Sequence, residues 1–182
     1  LGVTLSALSF VREREVGSLE LFRVSPVNSL ELLIGRVIGF GLVAAVMSVI
    51  ITVGAISIVN LPVLGDPLLV AGVLTMLMFA SLGLGLFVSV ISGTERQAVQ
   101  FSLLLLLASV FFSGFVLPVS DFGTPVQVVA YLLPVTHGIA LLQDLMLRGS
   151  TTEPWHFTAL AATIALLLIA TTLLLRRLMS RG

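Results

Sequence analysis

Four long stretches of the chain contain no charged residue and no histidine: Val37 to Asn60, Leu68 to Ser92, Ala98 to Leu117 and Phe157 to Leu175. Each is close to or above the roughly 20 apolar residues that a helix needs to cross a bilayer. Lipid offers the backbone no hydrogen bonds, so only helices and closed barrels can span it. These runs lack the alternating polar positions of a barrel strand. The pattern therefore predicts an all-α, polytopic transmembrane helical bundle with four full spans. A fifth apolar run, Leu1 to Val11, is about half the length a span requires. It reads as the end of a further span that begins upstream, because no basic start or small-residue cleavage site marks it as a signal peptide.

The region from Pro118 to His156 breaks the pattern. Its two apolar stretches, Val126 to Leu133 and Ile139 to Leu147, are too short to span and are separated by Pro134 and Gly138. Short apolar pieces broken by proline predict an outer helical hairpin that partly re-enters the membrane, a geometry tolerated where protein covers the backbone. The other reading is a pair of interfacial helices with Tyr131 and Trp155 at headgroup level. Pro118, Pro134 and Gly138 are its candidate structural residues. Small residues spaced four apart, at Gly35 and Gly39 and at Ser81, Gly85 and Ser89, mark candidate helix-packing faces, since such spacing lets helices approach closely in lipid.

Composition agrees with a membrane protein, with 58% apolar and only 10% charged residues against roughly 25% charged in soluble domains. There is no cysteine, hence no disulfide framework or thiolate metal site, and nine acids balance nine bases. That balance argues against a nucleic-acid partner held by net charge. The charge is not evenly spread. Eight of the eighteen Asp, Glu, Lys and Arg residues fall between Phe10 and Arg36. Eight of the nine arginines lie in segments that share one side of the membrane if all four spans cross, and only Arg148 lies on the other. The positive-inside rule makes the arginine-rich side cytoplasmic.

Within the charged segment, Asn28 and Glu31 have the spacing of a helix cap with a reciprocal partner. Ser25-Pro26 interrupts what precedes, because the residue before proline is pushed out of the helical region. Between Arg12 and Val24 there is room for a short helix that sets Leu19, Leu21 and Phe22 among charges, which suggests a docking surface for another protein. Catalytic chemistry is not visible. His137 and His156, with Asp121, Asp144 and Glu153, lack metal-ligand spacing. No phosphate-binding loop, H-E-x-x-H helix or Ser/His/Asp order occurs. An ion-coupled secondary transporter would place ionisable residues within its spans, and the four full spans contain none. A non-transporting scaffold would need a large soluble domain.

The residues Arg14-Glu15, Gly17-Ser18-Leu19-Glu20-Leu21, Ser25-Pro26 and Leu30 to Gly35 resemble the loop pattern of the membrane subunits of type 2 ABC exporters, the drug, polysaccharide and lipid exporters. Ser18 stands where Thr is commoner and Arg36 where Lys is frequent. The resemblance continues through Ser81 to Gly85, Ser113-Gly114-Phe115 with Pro118, Leu133-Pro134 with Thr136, and Leu147-Arg148-Gly149, in the family's order. It implies a plasma-membrane permease, not an enzyme. The missing N-terminal part would lie upstream, and Arg12 to Arg36, including Phe22 and Glu20, would form the cytoplasmic coupling segment. It also implies a separate ABC ATPase subunit that binds ATP and Mg, a second permease subunit, a lipid surround, and a hydrophobic or amphipathic substrate (drug, lipid or glycan) moved outward by alternating access. The four spans would be the third to sixth of six.

Overall fold

The computed structural model describes residues 11, 29–58 and 64–180. Among these there is no strand. Six helices follow in order: α1 (Ser29–Ser57), α2 (Pro67–Ile91), α3 (Glu95–Phe112), α4 (Thr124–Leu132), α5 (Pro134–Gln143) and α6 (Trp155–Ser180). Four of them, α1, α2, α3 and α6, are long and apolar enough to cross a membrane. At 1.5 Å per residue, the 25 residues of α2 reach about 37 Å, which exceeds the roughly 30 Å hydrocarbon core.

The helix ends are set by local chemistry. Asp66 accepts a hydrogen bond from the Leu68 backbone N–H at 2.8 Å, and Pro67 occupies the first helical position of α2. Both suit a helix start, where the first N–H groups lack intrahelical partners. The turn into α3 is a variant of the capping box: Thr94 Oγ1 accepts from the Gln97 N–H at 3.3 Å, and the Gln97 side chain accepts from the N–H of Gly93, one residue before the cap, at 2.8 Å. At the far end α3 stops at Phe112, before Leu117. Gly114 adopts a left-handed φ of 86°, a conformation that glycine takes at little cost, and the chain turns there toward the hairpin.

The central helix is α2, packed against α1, α5 and α6. It buries ten residues, whereas α3 buries only Ala98 and Ser102. One apolar cluster joins Val70, Val73 and Ala80 of α2 to Leu141 and Leu145 of the hairpin and Leu160 of α6. A second joins Leu86 and Val90 to Leu175 nearer the other end. In a third, Val11 is buried against Val88 and Ala98, with Phe101 and Leu105 packed around them. The α1–α2 contact is close at two points. Ser48 Oγ and Thr75 Oγ1 share a hydrogen bond of 2.7 Å, and a Cβ added at Gly41 would lie 2.6 Å from the Phe79 ring. Elsewhere the long helices leave large apolar side chains uncovered, among them Ile38, Leu42 and Val46 on α1 and Leu103, Leu104 and Leu107 on α3. On helices of spanning length such surface faces lipid or another membrane helix rather than water.

Candidate functional site: the bent hairpin and the serine groove

The hairpin begins with Pro118, exposed, at the start of a short 3₁₀ turn over Val119–Asp121. Phe122 meets Phe112 edge-to-face with 5.8 Å between ring centres, and Gln127 Nε2 donates to the Phe122 carbonyl at 2.9 Å. Helix α4 then runs to Leu132, Leu133 leaves the helical conformation, and α5 starts at Pro134. The two pieces are bent by 89°. The physical cause is local. Proline disfavours helical geometry in the residue before it and has no N–H to continue the helix. Thr136 bridges the break, its hydroxyl donating to the Ala130 carbonyl at 2.5 Å.

Gly138 was expected to share in this break, and it does not. It lies within α5, where a Cβ would meet Leu77 Cδ1 of α2 at 2.7 Å. The glycine lets α5 lie close on α2 while the proline alone makes the bend. Past Gln143 the helix widens into a π turn, Asp144–Arg148, ended by Gly149 with φ 74°. Here the hairpin is tied to the loop before α2: the Leu64 N–H donates to the Met146 carbonyl at 3.2 Å and the Gly65 N–H to the Leu145 carbonyl at 2.9 Å. Asp144 organises the return to α6. It takes Arg148 at 2.8 Å on one oxygen and the Thr152 N–H at 2.7 Å on the other.

Two histidines that lie 19 residues apart meet under this hairpin. His137 of α5 and His156 of α6 face each other through Nδ1 at 2.9 Å, and both are buried. His137 Nε2 lies 3.0 Å from the Tyr131 carbonyl, and His156 Nε2 lies 3.4 Å from Glu153 Oε2. Trp155 stacks on His156 with 4.0 Å between ring centres and meets the edge of His137 at 5.3 Å. Tyr131 stacks against His137 at 6.1 Å and also meets Trp155 at 5.7 Å. Among the described residues no group of three or more His, Asp or Glu side chains is placed to hold a metal ion.

Between α2, α3 and α5 runs a groove of about 240 Å³ walled by Leu84, Leu105, Val135 and Ile139 and dotted with serines. Ser81 Oγ donates to its own helix, to the Leu77 carbonyl. Ser102 and Ser113 line the groove with buried hydroxyls that have no hydrogen-bond partner among the described residues. A buried hydroxyl without a partner is costly.

Of the packing positions read from the sequence, Gly85 and Ser89 are buried in α2 and Ser81 is half-buried. Gly35 and Gly39 are exposed on α1, with open space where a Cβ would stand. Pro134 is buried at the start of α5. Of the coupling segment Arg12 to Arg36, the part with Arg14, Glu15, Gly17, Ser18, Leu19, Glu20, Leu21, Phe22, Ser25 and Pro26 lies outside the described residues, as does the cap residue Asn28, while Ser29 to Arg36 already belong to α1. The histidine pair had no sequence signal: no periodicity links residues 137 and 156, and the contact exists only because Pro134 folds α5 back beside α6.

Apolar helices of spanning length, with charged residues only toward their ends, pack around a central helix with a bent hairpin at one end and define a multi-pass helical membrane protein. The ABC-2 type transporter family matches residues 1–147, and the chain belongs to that family. It is 30% identical over 177 residues to the inner membrane transport permease YhhJ of Escherichia coli, which covers 92% of this chain and 47% of that protein. It is 25% identical over 151 residues to the probable multidrug ABC transporter permease YbhS of the same organism, over 82% of this chain and 40% of YbhS. To ABC transporter G family member 20 of Dictyostelium discoideum it is 28% identical over 147 residues, 81% of this chain and 20% of that protein. The chain thus spans less than half the length of these relatives.

Proposed function

We propose that this chain is the core of a membrane-spanning permease subunit of an ATP-driven exporter, one that moves a hydrophobic or amphipathic substrate out of the cytoplasm. The observation that carries the reading is the family match over residues 1–147, on a chain whose four long apolar runs, Val37 to Asn60, Leu68 to Ser92, Ala98 to Leu117 and Phe157 to Leu175, hold no ionisable side chain. A transporter without a proton or ion relay in its spans needs another energy source. An ABC ATPase subunit holding ATP and Mg supplies it. The charged segment Arg12 to Arg36 receives that subunit and passes its closure to α1, whose first residues, Ser29 to Arg36, are the end of that segment. A second permease subunit completes the pathway. Relatives named as multidrug permeases support an amphipathic cargo, and so does the mixed apolar and hydroxyl lining of the serine groove.

This reading fixes an orientation, and the arginine distribution supports it. In the full-length protein, single cysteines replacing Glu95 or Ser180 are expected to resist an impermeant thiol reagent added outside intact cells. Cysteines replacing Asp66 or Thr151 are expected to react. Labelling of the Glu95 or Ser180 positions from outside, with protection at Asp66, would invert the assignment and remove the coupling segment from the ATPase side.

A further inference from the structure

We propose that the His137–His156 pair is a one-proton site that clamps the bent hairpin onto α6. The geometry sets its capacity. The Tyr131 carbonyl can only accept, so His137 Nε2 at 3.0 Å must carry a hydrogen. A 2.9 Å contact between the two Nδ1 atoms has room for one hydrogen between them. In the neutral pair, His137 therefore keeps a bare Nδ1, His156 donates from its own Nδ1, and His156 Nε2 is bare toward Glu153.

One added proton fits without any movement. It occupies His156 Nε2 and faces Glu153 Oε2, 3.4 Å away. Both outer nitrogens then have acceptors, and the inner hydrogen is shared between two rings of which one is cationic, which strengthens the bond between them. Burial opposes that cation, and two neighbours favour it. The Trp155 ring stacks 4.0 Å from His156, within cation–π range, and Glu153 is itself held by a 2.7 Å hydrogen bond from Trp155 Nε1. A second proton has no place: two N–H groups would point at each other across the 2.9 Å gap, and α5 would separate from α6. The first proton tightens the clamp and the second opens it.

The other titratable groups around the pair are few. Tyr131 contributes its ring from α4. Asp144 and Arg148, at the end of α5, pair with each other at 2.8 Å. Between Pro67 and Ile91 the packed helix α2 carries no titratable residue, and those of α1 and α3 are Glu31, Arg36, Glu95 and Arg96, near the opposite end of the bundle.

The test uses full-length protein in nanodiscs, with every tryptophan except Trp155 changed to phenylalanine. A protonated imidazole stacked on an excited indole accepts an electron from it, so Trp155 emission is expected to fall in one step on acidification. His156→Gln is expected to abolish the step. Glu153→Gln keeps an acceptor for Trp155 at an exposed position and leaves the fold intact. It is expected to weaken proton binding about tenfold, moving the midpoint about one unit toward acid. Amide exchange in 134–143 is expected to stay protected through the first step and to rise only at lower pH. Emission that ignores pH, a midpoint unmoved by Glu153→Gln, or loss of protection at the first step would each overturn the proposal.

Discussion

Gly65→Ala is expected to detach the hairpin from the loop before α2, with a far larger effect than Gly138→Ala. A Cβ at position 65 would lie 2.6 Å from the Leu145 carbonyl oxygen and 3.3 Å from its carbon. Those are backbone atoms of the π turn and cannot swing aside. Relief requires moving the two strands of backbone apart, which breaks the 2.9 Å bond from Gly65 and the 3.2 Å bond from Leu64. Overpacking of this kind costs about 1 to 3 kcal/mol, and each backbone bond lost adds about 1 kcal/mol. At Gly138 the atoms in the way are the two methyls and the Cγ of the Leu77 side chain, which can rotate where backbone cannot. Hydrogen–deuterium exchange at 64–65 and 145–149 measures the difference. It should rise clearly for Gly65→Ala and stay near the parent for Gly138→Ala. Equal exchange in the two variants would mean that the tie to this loop does not hold the hairpin.

The bundle was legible in the sequence because a bilayer imposes a length and composition rule with few exceptions. Leu68 to Ser92, Phe157 to Leu175 and the described part of Val37 to Asn60 each fall on one helix of the structure, with ends displaced by a few residues. The third run misled at its end. Apolarity carries on from Ser113 to Leu117, but a left-handed glycine and a proline decide where the helix stops, and hydrophobicity does not register either. The hairpin was legible as two short pieces around Pro134. Gly138 was misjudged because glycine has two uses, breaking a helix and letting one lie close to a neighbour, and only the presence of Leu77 opposite it separates them. Thr94 and Gln97 carry a readable capping signal of their own. The histidine pair, the Asp144 return and the buried hydroxyls of Ser102 and Ser113 were beyond reach, since each depends on which faces of separate helices meet.

The second large effect is expected at the charged segment. If Arg14, Glu15, Leu19 and Glu20 form the surface that receives the ATPase, then Glu15→Lys, Glu20→Lys or Leu19→Asp uncouples the complex and abolishes transport. None of these changes touches the spans, whose insertion depends on apolar length, so the variants should reach the membrane in normal amount. Truncating one partner of a buried, hydrogen-bonded charge pair costs about 2 to 5 kcal/mol, whereas a rim charge alters mainly association rate and salt dependence. A loss that persists at every salt concentration therefore marks a desolvated contact. One that salt alone reproduces in the parent marks the rim.

The central claim is that this bundle is driven by an ATPase through residues 12–36. Its most direct test is substrate-stimulated ATP hydrolysis by the full-length subunit co-purified with its ATPase and reconstituted in lipid, comparing the parent with Leu19→Asp. The parent should retain the ATPase through purification and hydrolyse ATP faster when substrate is added, and Leu19→Asp should lose both. A Leu19→Asp protein that co-purifies normally and keeps full stimulation would contradict the coupling role and leave the segment as a loop that only sets topology.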